Sequence, residues 1–216
     1  ARARRRGRDV RAVLRRLPRG RGDGGRRLQG LPAIAEHLTR PQTSSGARGL
    51  LKVGFDITPE HAQYESMKTQ FLDYYEQGLA QRTGLFDGIA TLLDQLDEHR
   101  IVWGIVTNKA KRFTGAVVEA LGLHQRAACV VSGDTTPHAK PHPAPLFEAA
   151  RLLGLPPQDC WYVGDDERDI VAGHAAGMWT VAAHYGYLGQ GNPASDWGAH
   201  ADIHSPLALL KILELD

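Results

Sequence analysis

Residues 161–170 read Trp161-Tyr162-Val163-Gly164-Asp165-Asp166-Glu167-Arg168-Asp169-Ile170. A short apolar run stops at a glycine and opens onto four acids. A strand of an open α/β sheet places such residues just past its carboxyl end, where these sheets bind ligands. Acids crowded there repel one another unless a cation neutralises them, and oxygen-only ligands suit Mg²⁺. The same residues also suit a solvated turn capping the next helix, because acids favour helix N-termini.

On both sides of this stretch, helical and strand patterns alternate. Residues 89–99 have the spacing of an amphipathic helix, and 101–106 form a buried apolar run. A helix is expected over 109–121, a strand over 128–131, and a helix over 144–153 closed by Gly154. Residues 161–163 read as a strand, 169–176 as a helix and 179–183 as a strand. Strands alternating with helices of about ten residues imply a parallel sheet covered on both faces. Residues 84–216 therefore read as a doubly wound α/β core of Rossmann-like type. Residues 31–83 read as a small helical unit. A short helix is expected over 31–38, a polar turn over 41–46, and a segment small and apolar enough to pack over 45–55. Thr58-Pro59-Glu60 has the residues of a helix start, with Thr as cap and Pro at the first helical position. That helix is expected to run to about Arg82, with Tyr64, Met67, Phe71, Tyr74 and Tyr75 spaced as a core face.

At 216 residues the chain has room for one ordinary domain, or a core with a small insertion. No run of 18 apolar residues occurs, so no membrane span is expected. Cys129 and Cys160 sit among apolar residues at no zinc or redox spacing, which reads as two buried, reduced thiols in a cytoplasmic protein. The net charge of +2 conceals a division within the chain. Residues 1–30 hold 12 arginines against two acids, Asp9 and Asp23, while residues 31–216 carry a net charge of −8. Nucleic-acid binding would rest on the leader alone, and the acidic body argues against it. Residues 1–30 admit three readings: a disordered basic arm, a transit peptide, or GC-rich DNA translated in the wrong frame.

Three strand ends carry polar chemistry. Thr107 and Asn108 follow the run 101–106, and a hydroxyl and an amide at that place suit a phosphate or an ordinary helix cap. Lys140 lies in Ala139-Lys140-Pro141-His142-Pro143, where prolines stiffen the segment and fix the ammonium. Asp165 and Asp169 lie one helical turn apart, on one face. None of the ten histidines has HExxH-type spacing. His138 and His142, flanking Lys140, read as solvated loop residues, and Arg168 as a local partner of the acids.

The order Thr/Asn, then Lys, then an acid pair, each after a strand, resembles the second to fourth motifs of the haloacid dehalogenase superfamily. Receiver domains combine the same residue types but carry their acid pair first. The resemblance covers residues 31–216 and is nearest the phosphoglycolate phosphatase-like group, with 31–83 as a partial helical cap. Ser45-Gly46-Ala47, Phe86-Asp87-Gly88, Val106-Thr107-Asn108-Lys109, Tyr185-Gly186-Tyr187 and 192–207 look closest to the N-acetylmuramic acid 6-phosphate phosphatases of bacterial cell-wall recycling. The resemblance implies Mg²⁺-dependent hydrolysis of a small phosphorylated metabolite through an aspartyl-phosphate. Thr107 and Asn108 would grip phosphoryl oxygens, and Lys140 would neutralise charge on the phosphoryl group and the nucleophile. Asp165 would hold Mg²⁺ with support from Asp169 or Asp166.

One motif of the family does not occur. The family's first strand ends in Asp-x-Asp-Gly-Thr, whose first acid attacks phosphorus and whose second serves as acid and base. Residues 10–14 resemble that strand, but Arg15-Arg16-Leu17-Pro18-Arg19-Gly20 follow, with Arg and Pro where the acids belong. The resemblance puts that strand in mid-sheet, so its loss is expected to expose both neighbours. Two readings follow: a frameshifted or mis-called start over 1–30, or a pseudophosphatase that binds a phosphate ligand or a partner without turnover.

Overall fold

The computed structural model describes residues 12–13, 36–39, 42, 45–79, 83–188 and 191–215. The leader reading for 1–30 therefore lies outside the described residues, apart from Ala12 and Val13. The elements in chain order are β1 (Ala12–Val13), α1 (Glu36–Thr39), α2 (Gly46–Phe55), α3 (Tyr64–Gly78), α4 (Ile89–Glu98), β2 (Ile105–Val106), α5 (Lys111–Ala120) and β3 (Val130–Val131). They continue with α6 (Ala144–Leu153), β4 (Trp161–Gly164), α7 (Glu167–Ala175), β5 (Trp179–Ala183), β6 (Ala201–Ile203) and α8 (Ala208–Ile212).

Among the described residues every strand pairing is parallel, in two ladders: β1-β4-β5-β6 and β2-β3. Successive strand residues point to opposite faces, and both faces here are apolar. Ile105 and Val163 join Leu92, Leu93 and Leu96 of α4 with Leu209 of α8 on one side. Val106 and Tyr162 join Leu146, Ala149 and Ala150 of α6 with Ala172 of α7 on the other. A sheet covered on both faces needs unbroken apolar strands, which is why 101–106 and 161–163 read as continuous runs. Each fully buried Leu contributes about 1.5–3 kcal/mol, so α4 alone anchors one layer. The doubly wound fold is the one expected.

β1 lies against β4, with Ala12 opposite Trp161 and Val13 opposite Tyr162. Two of the residues 10–14 that resemble the family's first strand thus occupy a strand position beside β4. Among the described residues no ladder joins β1 to β2.

Helix ends follow local chemistry. α6 stops at Gly154 (φ 65°), whose N–H reaches back to the Ala150 and Arg151 carbonyls. α7 begins at Glu167, two residues earlier than expected, because Asp166 accepts the Arg168 N–H and so caps it. Thr58-Pro59-Glu60 does not start α3. Residues 58–63 turn instead, with His61 N–H bonded to Thr58 O and Tyr64 N–H to His61 O. His61 Nδ1 also takes the Gln63 N–H at 3.1 Å, holding the chain out of a helix until Tyr64. Tyr64 packs with Leu51 of α2, Ile57, Met67 and Phe71 in a separate small core. The aromatic stripe is therefore a packing face, except that Tyr74 is 41% exposed. β6 and α8 lay beyond the sequence reading.

Candidate active site

Thr107 sits just past β2, fixed by its own N–H to Val131 O at 2.9 Å. Its Oγ1 accepts the Lys109 N–H at 3.1 Å. A hydroxyl accepting there keeps its O–H to donate. Thr107 is buried, as are Lys140, Asp165, Asp166 and Asp169, so polar chemistry is concentrated at the carboxyl ends of β2 and β4. Thr107, Lys109, Gly164, Asp165 and Gly186 line one cavity between the two ladders, walled on its apolar side by Phe86 and α4.

Asn108 does something other than what its type suggested. Its Nδ2 donates to Lys140 O at 2.8 Å, and its Oδ1 accepts the Lys140 N–H at 2.9 Å. Both ends of the amide are engaged by the Lys140 main chain across 32 residues of sequence. Asn108 is therefore a positioning residue for Lys140, with one Nδ2–H and Oδ1 of its amide engaged.

Lys140 Nζ donates to Val106 O at 3.0 Å and to Tyr162 Oη at 2.6 Å. It also pairs with Asp169 Oδ1 at 2.8 Å, both side chains being fully buried. Tyr162 Oη in turn lies 3.3 Å from Asp169 Oδ1. An ammonium is a three-donor cation, and these groups are among the partners that hold it in place. A buried charge without such partners costs several kcal/mol. Tyr162 was missed in the sequence, where it read only as a strand residue; a buried tyrosine hydroxyl needs a partner, and that was the available signal.

Asp165, and Asp166 and Asp169, either of which was expected to support it, face different partners. Asp165 Oδ2 accepts the Tyr187 N–H at 3.0 Å. Asp166 caps α7 and accepts both Nε and an Nη of Arg168 at 2.7 Å. Asp169 turns to Lys140. Among the described residues no group of three or more His, Cys, Asp or Glu side chains is placed to hold a metal ion. Helix geometry is the reason. Asp166 and Asp169 lie on α7 and its cap, where Arg168 and Lys140 draw them apart, while Asp165 stays on the strand end facing the cavity.

Two glycines make this packing possible. A Cβ on Gly164 would lie 2.2 Å from Asp169 Cβ, and one on Gly186 would lie 2.1 Å from Asp165 Cβ. The loop 185–187 thus closes directly over Asp165. Burial, and then Asp165, push the Tyr185 phenol well above its ordinary value, so it stays protonated beside the acid. His138 and His142 are exposed, with ring centroids 4.5 Å apart. His142 Nδ1 accepts the Ala144 N–H at 3.1 Å, a loop role as expected. Arg168 pairs locally, also as expected. His184, given no role, donates from Nε2 to Asp202 Oδ1 at 2.7 Å.

The family model for haloacid dehalogenase-like hydrolases matches residues 50–183. The chain is 37% identical to an N-acetylmuramic acid 6-phosphate phosphatase of Pseudomonas putida over 86% of its own length and 83% of that protein. It is 43% identical to a phosphoglycolate phosphatase of Xanthomonas campestris, over 82% of the chain and 80% of that protein. In fold it is similar to the crystal structure of a predicted phosphoglycolate phosphatase from Haemophilus somnus, with TM-score 0.80, 24% identity, and 94% and 96% of the two chains covered. A haloacid dehalogenase-like protein from Streptococcus pneumoniae gives TM-score 0.77 at 17% identity, covering 94% and 96%. Strand order, strand-end chemistry and these likenesses agree: the chain belongs to the haloacid dehalogenase-like hydrolase family.

Proposed function

We propose that the fold is that of a phosphomonoester hydrolase for a small phosphorylated metabolite, and that this chain keeps the phosphate-binding half of the site without the group that attacks phosphorus. The relatives' names point to N-acetylmuramic acid 6-phosphate or 2-phosphoglycolate as that metabolite. The observation that carries the reading is Lys140, whose ammonium is held by Asp169, Tyr162 and the carbonyl of Val106, the residue before Thr107 at the end of β2. A fixed cation and a hydroxyl donor at one strand mouth suit a phosphoryl group, whose transfer needs mainly positioning and charge stabilisation.

Asp165 is the residue that would hold Mg²⁺. A nearly buried carboxylate at a strand end, with one oxygen fixed by the Tyr187 N–H, suits an ion that takes one or two carboxylates and keeps several waters. Bound there, Mg²⁺ would supply positive charge to the phosphoryl oxygens. The remaining work falls to the chain: Thr107 donates to a phosphoryl oxygen, Lys140 balances its charge, and Asn108 holds Lys140 in place.

Hydrolysis through an aspartyl-phosphate forms a carboxylate O–P bond while the ester P–O bond breaks and the alcohol leaves with a proton. Both acids for that exchange would follow β1, where the sequence has Arg16 and Pro18. Three residues beyond Val13 in sequence is Arg16, and three beyond its partner Tyr162 is Asp165. The acid is thus replaced at the position in sequence count that corresponds to the metal-binding aspartate. Loss of a covalent nucleophile costs on the order of 10⁴–10⁶ in rate, so the chain as given binds without turning over, in a reducing cytoplasm where Cys129 and Cys160 stay thiols.

Calorimetric titration of inorganic phosphate with Mg²⁺ tests the binding half. The wild-type chain is expected to bind, and Lys140→Met and the milder Thr107→Val each to weaken binding at least about tenfold, the worth of a charge-assisted hydrogen bond. A wild-type chain that takes up no phosphate contradicts the reading, as does full affinity in a folded Thr107→Val.

A further inference from the structure

The Phe86 ring, in the connection between α3 and α4, meets the loop that closes over Asp165. Its main chain is fixed as α4 begins, with the Phe86 carbonyl accepting the Ile89 N–H at 3.0 Å. The ring meets Tyr185 edge-on, with centroids 5.8 Å apart and planes at 74°. The same ring meets Tyr187 at 5.8 Å and 59°. One phenylalanine is thus paired with both tyrosines that flank Gly186.

The start of that loop is tied to the sheet. The His184 N–H donates to Ile203 O at 2.8 Å, and the Gly186 N–H to Ala183 O at 3.1 Å. The Tyr187 N–H then donates to Asp165 Oδ2 at 3.0 Å, a hydrogen bond strengthened by the charge on the acid. Glycine has more backbone freedom to lose than any other residue, so the side chains on either side of Gly186 set where this N–H points. Both belong to rings that Phe86 holds, and aromatic pairs at such distances add to the effect of burial. Phe86, Tyr185, Gly186 and Asp165 all line the cavity that Thr107 also lines.

We infer that Phe86 is a positioning residue for Asp165: through Tyr185 and Tyr187 it sets the Tyr187 N–H against the carboxylate and so orients that carboxylate for Mg²⁺. A hydrocarbon ring has no atom for an ion to bind, and Phe86 acts only through the loop. Groups that orient a metal-binding side chain raise its affinity, because a carboxylate already held in place has less freedom to lose on binding. The inference rests on Asp165 being the residue that holds Mg²⁺, and it is independent of which ester the site takes.

Calorimetric titration of the full chain with Mg²⁺ alone tests it. Phe86→Leu, which keeps apolar bulk and removes the ring, is expected to weaken Mg²⁺ binding about tenfold or more, the usual effect of losing a group that orients a metal ligand. Tyr187→Leu, which keeps the N–H and removes one of the paired rings, is expected to do the same and covers the case of a Phe86 variant that fails to fold. Tyr187→Phe keeps both ring and N–H and is expected to stay within about twofold of the wild-type affinity. A folded Phe86→Leu or Tyr187→Leu chain with wild-type affinity for Mg²⁺ overturns the inference while leaving Asp165 as the metal-binding residue. So does a Tyr187→Phe chain that loses as much affinity as Tyr187→Leu, since the phenol hydroxyl and not the ring pairing would then hold the loop. No uptake of Mg²⁺ by the wild-type chain overturns the reading of Asp165 and this inference with it.

Discussion

At the scale of single residues, the site depends on side chains that hold other side chains. Lys140 is useful because Asn108 fixes its main chain and Asp169 and Tyr162 fix its ammonium. Asp169 in turn reaches Lys140 only because Gly164 has no Cβ. Gly164→Ala would put a methyl 2.2 Å from Asp169 Cβ, within a helix and strand that are both packed. Overpacking of that kind costs about 1–3 kcal/mol. Urea denaturation of Gly164→Ala is expected to show this loss, together with weaker phosphate binding as Lys140 is displaced. An unchanged midpoint would show that the Asp169 backbone yields freely. The sequence exposed the residue types but not these dependencies. Thr107, Lys140 and Asp165 stand at strand ends where their polarity marks them. Asn108, Asp166 and Asp169 carry the same polarity but face Lys140, Arg168 and Lys140 respectively, and only the three-dimensional neighbourhood decides that. Tyr162 was hidden because its ring satisfies the apolar pattern of a buried strand.

At the scale of elements, the alternation of 3.6- and 2-residue periods marks α4, α6, β4 and β5 closely, because each buries a continuous apolar face or run. α3 is less well marked: its apparent start at Thr58 is overruled by the His61 ring. β6 and α8 are short, and Ala201–Ile203 and Ala208–Ile212 carry too few periods to show. β6 joins β5 through a polar junction. The Thr180 N–H and Oγ1 meet His200 Nδ1 at 3.0 and 2.9 Å, and the His200 N–H meets Thr180 Oγ1 at 3.2 Å. An acceptor Nδ1 must be unprotonated, and burial and then His174 hold the His200 pKa below its ordinary value. The depressed pKa means that the unfolded chain binds the proton more readily. Stability from this site is therefore complete above about pH 6.5 and is lost as the pH falls through the folded value. Urea midpoints at pH 7 and pH 5.5 are expected to differ more in the wild-type chain than in His200→Gln. Equal differences in the two would remove the histidine from the junction's pH response.

At the scale of the molecule, helices cover both faces of the parallel strands, and the site lies at the carboxyl ends of β2 and β4. Cys129 and Cys160 both belong to the face covered by α6 and α7. Burial, and then Cys160 and Glu148, push the Cys129 thiol up to about 11. At pH 8 about one thiol in a thousand would then be thiolate. An aromatic disulfide reagent is expected to leave both cysteines unmodified in the native chain and to label both in urea; prompt native labelling would mean that this layer opens. Residues 31–216 carry family-like chemistry throughout, while the segment following β1 carries arginine and proline. Sequencing the 5′ end of the coding DNA and translating all three frames distinguishes a shifted frame from a genuine leader. Either outcome leaves the chemical account of this chain the same, because it depends on which residues follow Val13. The most direct measurement is phosphate release from 2-phosphoglycolate with Mg²⁺, by the wild-type chain and by Arg16→Asp/Pro18→Asp. The expected result is release at the uncatalysed rate from the wild-type chain and release above it from the double variant. Turnover by the wild-type chain that is lost in Thr107→Val would contradict the account, because the site would then be attacking phosphorus without an aspartate after β1.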